Sequence, residues 1–207
     1  MEPRLEADTK TIYSIGHSNL PIEEFIELLR QHQIEAVVDT RSYPSSKHAP
    51  HFNQPALSSA VKSAHMSYVF MGKELGGRPD DRRLYDADGR VLYGLVAETQ
   101  LFRSGITRVE RGCEKYRIAL LCSEEDPLFC HRNLLIGRVL QSRGFEVLHI
   151  RRGGRLERGL ELARRGSSQF RIFSDPEVEW KSTQSVLHKR LPSSFSRRFA
   201  GSKSNSS

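Results

Sequence analysis

The stretch LLCSEEDPLFCHRNLLIGRVL (residues 120–140) sets Cys130, His131 and Arg132 side by side. Positive neighbours favour a thiolate, the form of cysteine that acts as nucleophile or metal ligand. The apolar run that follows reads as a helix, whose N-terminal dipole would act in the same direction. The start of that helix has two readings. If Asp126 is its cap and Pro127 its first residue, Cys130 lies a turn inside and suits buried core as well as chemistry. Cys122 ends the preceding apolar run, with packing and chemistry as its two readings. Cys122, Cys130 and His131 are also candidate metal ligands, because thiolates with imidazole suit zinc or iron. Yet the seven residues between the cysteines are not a zinc-finger spacing, and no Cys-x-x-Cys exists. Cys-x5-Arg, the loop of thiol phosphatases and sulfurtransferases, is absent too: Arg132 follows Cys122 by ten positions and Cys130 by two.

Further candidates lie upstream. His17, between Gly16 and Ser18, reads as a general base, a ligand or a plain loop histidine. Asp39 and Glu124 are carboxylates that can orient an imidazole. Arg41 and Arg132 offer planar forks to an anion, or to Asp39, Glu74 and Glu124 as salt-bridge partners. Lys73 with Gly76-Gly77 only faintly resembles a phosphate-gripping loop, for no P-loop pattern is complete.

Hydrophobic periodicity supplies the elements that must position these groups. Residues 11–16, 35–39, 67–71, 117–122 and 145–150 read as buried strands. Residues 21–32, 56–64 and 91–109 read as helices, as does the run ending near Arg143, with Gly144 as its C-cap. Residues 40–55 and 72–90 read as loops, the second long enough to suggest a functional lid or disorder. Alternating strands and helices predict an α/β fold with a mainly parallel sheet. Ligands of such sheets bind beyond the carboxyl ends of the strands. Gly16-His17-Ser18, Asp39-Thr40-Arg41, Met71-Gly72-Lys73 and Cys122-Ser123-Glu124 each follow a different predicted strand, so their convergence there predicts a site.

The chain has 207 residues and a net charge of +7. That length suits one domain, read as residues 11–180, with an N-terminal extension over 1–10. Residues 181–207 hold Lys181, Lys189, Arg190, Arg197, Arg198 and Lys203 and no acid, so the body is nearly neutral. This basic, Ser-rich end, which includes Phe195 and Phe199, reads as a disordered tail. Arg151, Arg152, Arg155, Arg158, Arg164 and Arg165 crowd a second basic stretch, either a solvated surface or a nucleic-acid contact. Three cysteines make no disulfide framework, which predicts a reducing, cytoplasmic setting. No apolar run of membrane-spanning length and no secretory signal is read.

The motifs IYSIGHSN, VVDTRSYPSSKHAPHFN, YVFMGKELGG, ALLCSEEDPLFCHR and VLHIRRGG, in this order, closely resemble the family catalogued as domain of unknown function 488. The resemblance covers residues 11–154. It implies a small cytosolic α/β protein of Rossmann-like, three-layer type, loosely linked with DNA repair and with no established reaction. The family's signature positions fall on Gly16, His17, Ser18, Asp39, Arg41, Pro44, Ser46, Lys47, Leu75 and Gly76. They continue on Cys122, Glu124, Cys130, His131 and Arg132. Lys47 stands where the family often has Arg, and it lacks the bidentate fork.

These readings meet in one expectation: a Cys/His/Arg pocket at the carboxyl edge that binds or processes an anionic, phosphate-bearing ligand. Gly16, Ser18, Arg41, Ser46, Lys47, Gly76 and Arg132 would hold the ligand. His17, Cys130, His131, Glu124 and Asp39 would carry the chemistry of a thiol- or His-dependent hydrolase or transferase. Two alternatives stay open: a nucleic-acid-binding module using residues 151–165 and the basic tail, and a metal-binding protein. No cofactor, membrane partner or oligomeric state is indicated.

Overall fold

A computed structural model describes residues 10–159, 162 and 180–186. The expected extension before Lys10, the arginines at 164 and 165, and the tail beyond Val186 lie outside the described residues.

Five strands are parallel and a sixth is antiparallel at one edge. They are β1 (Lys10–Gly16), β2 (Ala36–Asp39), β3 (Ser67–Phe70), β4 (Ile118–Cys122), β5 (Phe145–Ile150) and β6 (Leu156–Arg158). Their order in the sheet is β3-β2-β4-β1-β5-β6. Side chains of a strand alternate between faces, and here both faces are apolar, as a covered parallel sheet requires. Tyr13, Ile15, Val37, Ala119 and Leu121 face the layer of α1 (Ile22–Gln31) and α2 (Gln54–Ser63). Ile12, Val38, Ile118, Leu120 and Val147 face the other layer. That layer holds α3 (Gly72–Leu75), α4 (Tyr93–Glu98), α5 (Gln100–Cys113), a π-helical turn (Arg132–Gly137) and α6 (Arg138–Ser142). The fold is therefore the expected three-layer α/β arrangement.

Each helix pays for itself by what it covers. α1 buries Phe25, Ile26, Leu28 and Leu29, each worth about 1.5–3 kcal/mol of removed apolar surface. Glu23 and Glu24 occupy its first turn, where the dipole favours them. α6 ends at Gly144, whose φ of 85° is a left-handed conformation that glycine adopts without a Cβ clash.

Three expectations are corrected and one strand is added. The predicted 91–109 helix is two helices, because the Thr99 hydroxyl caps a new one by accepting the Phe102 N–H. The predicted 72–90 loop contains α3 and a 3-10 turn, Arg82–Leu84. The arginine-rich stretch contributes β6, which a pattern dominated by charge concealed. The supposed tail does not begin at Lys181. Ser182 N donates to Val91 O, Lys181 pairs with Asp86, and the Trp180 indole donates to Leu134 O. No described helix is long and apolar enough to cross a membrane.

The connections matter most for the site. From β1 the chain moves to one side of the sheet to reach β2, whereas from β4 it crosses β1 to reach β5 on the other. Adjacent strands whose connections diverge in this way leave a crevice beyond their carboxyl ends. Here those ends are Gly16 and Cys122, which are paired in register.

Candidate functional site

Two polar regions sit at that switch point, one open and one dry. The open one is a cavity of about 260 Å³. The β1 end contributes His17, Ser18 and Asn19, the β4 end Ser123, and the loop after β2 Arg41, Tyr43, Ser45, Ser46 and His48. Backbone bonds hold the two strand ends together: His17 N donates to Cys122 O at 3.0 Å and Ser18 N to Ser123 O at 2.8 Å. Ser18 has a φ of 43°, so the chain turns sharply there and leaves this side chain exposed.

Arg41 is 6% exposed and anchors the cavity wall. Its Nε and Nη2 donate to Oδ1 and Oδ2 of fully buried Asp39 at 2.9 and 2.6 Å. Its Nη1 donates to Phe52 O at 2.9 Å and to His17 Nε2 at 3.1 Å. The Tyr68 hydroxyl completes the cluster by donating to Asp39 Oδ2 at 2.7 Å. Such a pair is costly to bury and is sustained by these extra bonds. His17 stacks on Phe52 with ring centroids 4.2 Å apart. Burial, then the Arg41 charge, lowers its pKa to about 4. The ring is thus neutral near pH 7, with Nδ1–H donating to Ser18 O. With Nε2 accepting from Arg41, it offers no lone pair to the cavity.

The dry region lies at the other side of the β4 end. Cys122, Cys130 and His131 are all buried, and Sγ, Sγ and Nδ1 lie within 4.8 Å of one another. His131 Nε2 is 3.1 Å from Thr40 O, a contact that places a ring hydrogen on Nε2 and turns Nδ1 away from the carbonyl. Nδ1 faces Cys122 Sγ at 3.5 Å and Cys130 Sγ at 3.9 Å. Glu124 Oε2 accepts from both thiols, at 2.8 and 3.3 Å. Burial raises the pKa of both thiols, and for Cys122 that effect prevails. For Cys130 the hydrogen bond from Cys122 and the charges of Arg132 and His131 outweigh burial, and its pKa is lowered. The pKa of His131 is itself raised, burial being outweighed by its bond to Cys130. Glu124 is held down to about 2: burial opposes ionisation, but its thiol donors and His131 prevail.

The local backbone explains the placement. Asp126 does cap a helix, but only a 3-10 turn, Pro127–Phe129. Cys130 follows in extended conformation, so it lies at a junction rather than inside a helix. The π-helical turn then starts at Arg132, and such turns often accompany functional sites. Arg132 is fully buried, and Nη1 and Nη2 donate to the carbonyls of Glu124 and Glu125, the latter at 2.7 Å. It clamps the turn that carries Glu124 and does not line the cavity. Among the described residues its Nε has no hydrogen-bond partner.

The remaining sequence candidates divide in the same way. Ser18, Arg41 and Ser46 line the cavity, whereas Lys47 is exposed and not among its lining residues. Gly16 and Gly76 act through close approach: an added Cβ would lie 1.7 Å from Glu124 O at Gly16 and 2.2 Å from Gly72 O at Gly76. Sequence reasoning missed Tyr68, Ser45 and His48, and it read Gly77 only as part of a faint phosphate-gripping loop. A Ser- and His-rich loop following a strand was the available signal for Ser45 and His48. Nothing in sequence marks Tyr68, which reaches Asp39 from the neighbouring strand.

A search of curated proteins finds no match. Among solved structures, a DUF442 protein from Shewanella putrefaciens shares 16% identity, with 67% of this chain and 69% of that one covered and a TM-score of 0.36. The family model described as "Domain of unknown function DUF488" matches residues 21–139, more than half of the sequence. That span takes in the cavity loop, the Asp39–Arg41 pair and both cluster cysteines. By that match the chain belongs to the DUF488 family.

Proposed function

We propose that this protein binds a small oxyanion-bearing ligand, of the phosphate-ester class, in the cavity beyond β1 and β4. The observation that carries the reading is the composition of the wall. Four serine hydroxyls, an asparagine amide, a tyrosine, two imidazoles and Arg41 line it, and none of the described lining residues is a carboxylate. A cationic ligand would find no counter-charge there, whereas an anion meets hydrogen-bond donors and the field of a guanidinium. At about 260 Å³ the cavity falls just under the roughly 300–1,000 Å³ usual for drug-sized ligands, which favours a phosphate group with a small attachment over a dinucleotide. Arg41 acts mainly through charge, since Asp39, Phe52 and His17 already engage its donors. The reading is one of recognition, because His17 has neither a free lone pair nor a proton to give near pH 7.

Three of the described arginines in the arginine-rich stretch already have carboxylate partners, which weighs against the nucleic-acid alternative. Arg151 is held by Glu125, Asp126 and Glu157. Arg152 and Arg158 pair with Glu24 and Glu146.

Titration calorimetry with inorganic phosphate and a nucleoside monophosphate tests the reading on the full chain. Ser18→Asp adds a carboxylate to the wall at a left-handed position that Asp tolerates. It should weaken binding at least tenfold, while the neutral, isosteric Ser18→Asn keeps it. No binding by the wild type, or equal binding by Ser18→Asp, would overturn the proposal.

A further inference from the structure

We propose that Cys122, Cys130 and His131 form a soft-metal site of the zinc class, separate from the oxyanion cavity. Two buried thiols and a buried imidazole meet beside the Glu124 carboxylate in a place where apolar side chains would pack at less cost. What they gain by meeting there is a common centre. The imidazole nitrogen is 3.5 and 3.9 Å from the two sulfurs. With Zn–S near 2.3 Å and Zn–N near 2.0 Å, the sulfur-to-nitrogen edge of a tetrahedral site is about 3.5 Å. One sulfur already stands at that edge, and the other is a few tenths of an ångström beyond it.

Three further features fit a metal. The hydrogen bond from His131 Nε2 to Thr40 O fixes the ring and directs Nδ1 at the sulfurs, the outer-shell arrangement typical of metal-bound histidine. Gly77 lies against the same ring, where a Cβ would come within 2.7 Å of Cγ, so the imidazole is held from that side too. Charge also balances. Two thiolates with Glu124 carry three negative charges and Arg132 one positive charge, so a divalent ion makes the cluster neutral. Arg132 is itself fully buried, and its Nε is unpartnered among the described residues.

The ligands come from a strand end and from the junction between two short helical turns, not from a knuckle, which is why their spacing resembles no finger motif. Three protein ligands leave a fourth position. Glu124 Oε2 touches both sulfurs but lies outside the three-atom set, so the set itself is Cys2His. Thiolate and imidazole donors together select zinc over magnesium or calcium.

Cobalt is the probe, because it reports thiolate ligation through sulfur-to-metal charge-transfer absorption and tetrahedral geometry through intense visible bands. Metal-free full-length protein, reduced and folded, should bind one Co2+ per chain with both signatures, and Zn2+ should displace it. Cys122→Ser and Cys130→Ser should each remove most of the charge-transfer band. Cys113→Ser should leave it, since Cys113 ends α5 ahead of β4. X-ray absorption of the zinc-loaded wild type needs no variant and should count two sulfurs. Absence of saturable cobalt binding, fewer than two sulfur ligands, or a band that survives loss of both cluster cysteines would overturn the assignment.

Discussion

The cavity and the thiol cluster share a strand end yet solve opposite problems. Three consecutive residues join them: Asp39 and Arg41 build the cavity wall, while the carbonyl of Thr40 between them holds His131. In the cavity, the charges are satisfied by fixed protein partners and exposed hydroxyls are left for exchange with solvent or ligand. In the cluster, the two sulfurs and the imidazole are buried, and together with the Glu124 carboxylate at their edge they are satisfied mainly by one another. A site that must load and release a small ligand keeps its charges tied and its donors wet. A site for a resident ion keeps its ligands dry, because water competes with soft donors.

The largest expected effect comes from cutting the wall behind the cavity. Asp39→Ala strips the carboxylate from a guanidinium that is 6% exposed. An uncompensated buried charge costs about 3–5 kcal/mol. Urea denaturation should show a loss of that size. A loss under 1 kcal/mol would mean that Arg41 simply swings into solvent and that the wall is not preformed.

The pH dependence is next in size and belongs to the same wall. His17 has a folded pKa of about 4, against about 6.5 when unfolded. Between those values the unfolded chain binds a proton that the folded chain refuses, so stability rises with pH across the window. Its contribution is complete above about pH 6.5 and is lost as pH falls toward 4. The full shift corresponds to on the order of 3 kcal/mol. Denaturation at a series of pH values should show the slope, and His17→Gln should flatten it. An unchanged slope in the variant would assign the effect to other groups.

The contrast between the two regions also explains what sequence could reveal. The five parallel strands were legible because apolar residues face both layers, and three of them end in Gly16, Asp39 or Cys122 beside polar residues. That Gly16, His17, Asp39, Arg41, Cys122 and Cys130 all end up near one edge followed from topology, whatever each residue does. The division into two regions was not legible. It depends on which way side chains turn at strand ends, and there the governing contacts are long-range: Tyr68 to Asp39, Gly77 to His131, Arg132 to the Glu124 carbonyl. Arg132 reads as an anion hook from its neighbours in sequence, yet its partners are two backbone carbonyls. The split at Thr99 was hidden because the apolar pattern continues through a cap, and β6 was hidden because its charged residues pair with Arg151 and Glu146.

Gly77→Ala is the smallest perturbation and the one that separates the two regions most cleanly. Its added methyl would meet His131 at 2.7 Å from Cγ and 2.8 Å from Nδ1, so either the ring or the 76–78 backbone must shift. Overpacking of this kind costs about 1–3 kcal/mol. The shift falls on the imidazole that faces the sulfurs, and it leaves Ser18, Ser45, Ser46 and Ser123 untouched. Cobalt affinity should therefore fall by about 10–100-fold, the range seen when the support of a metal-bound histidine is disturbed. Phosphate affinity should stay within twofold of the wild type. If both affinities fall together, the Thr40 link transmits strain and the two regions work as one site. If only phosphate binding falls, the division drawn between them is wrong.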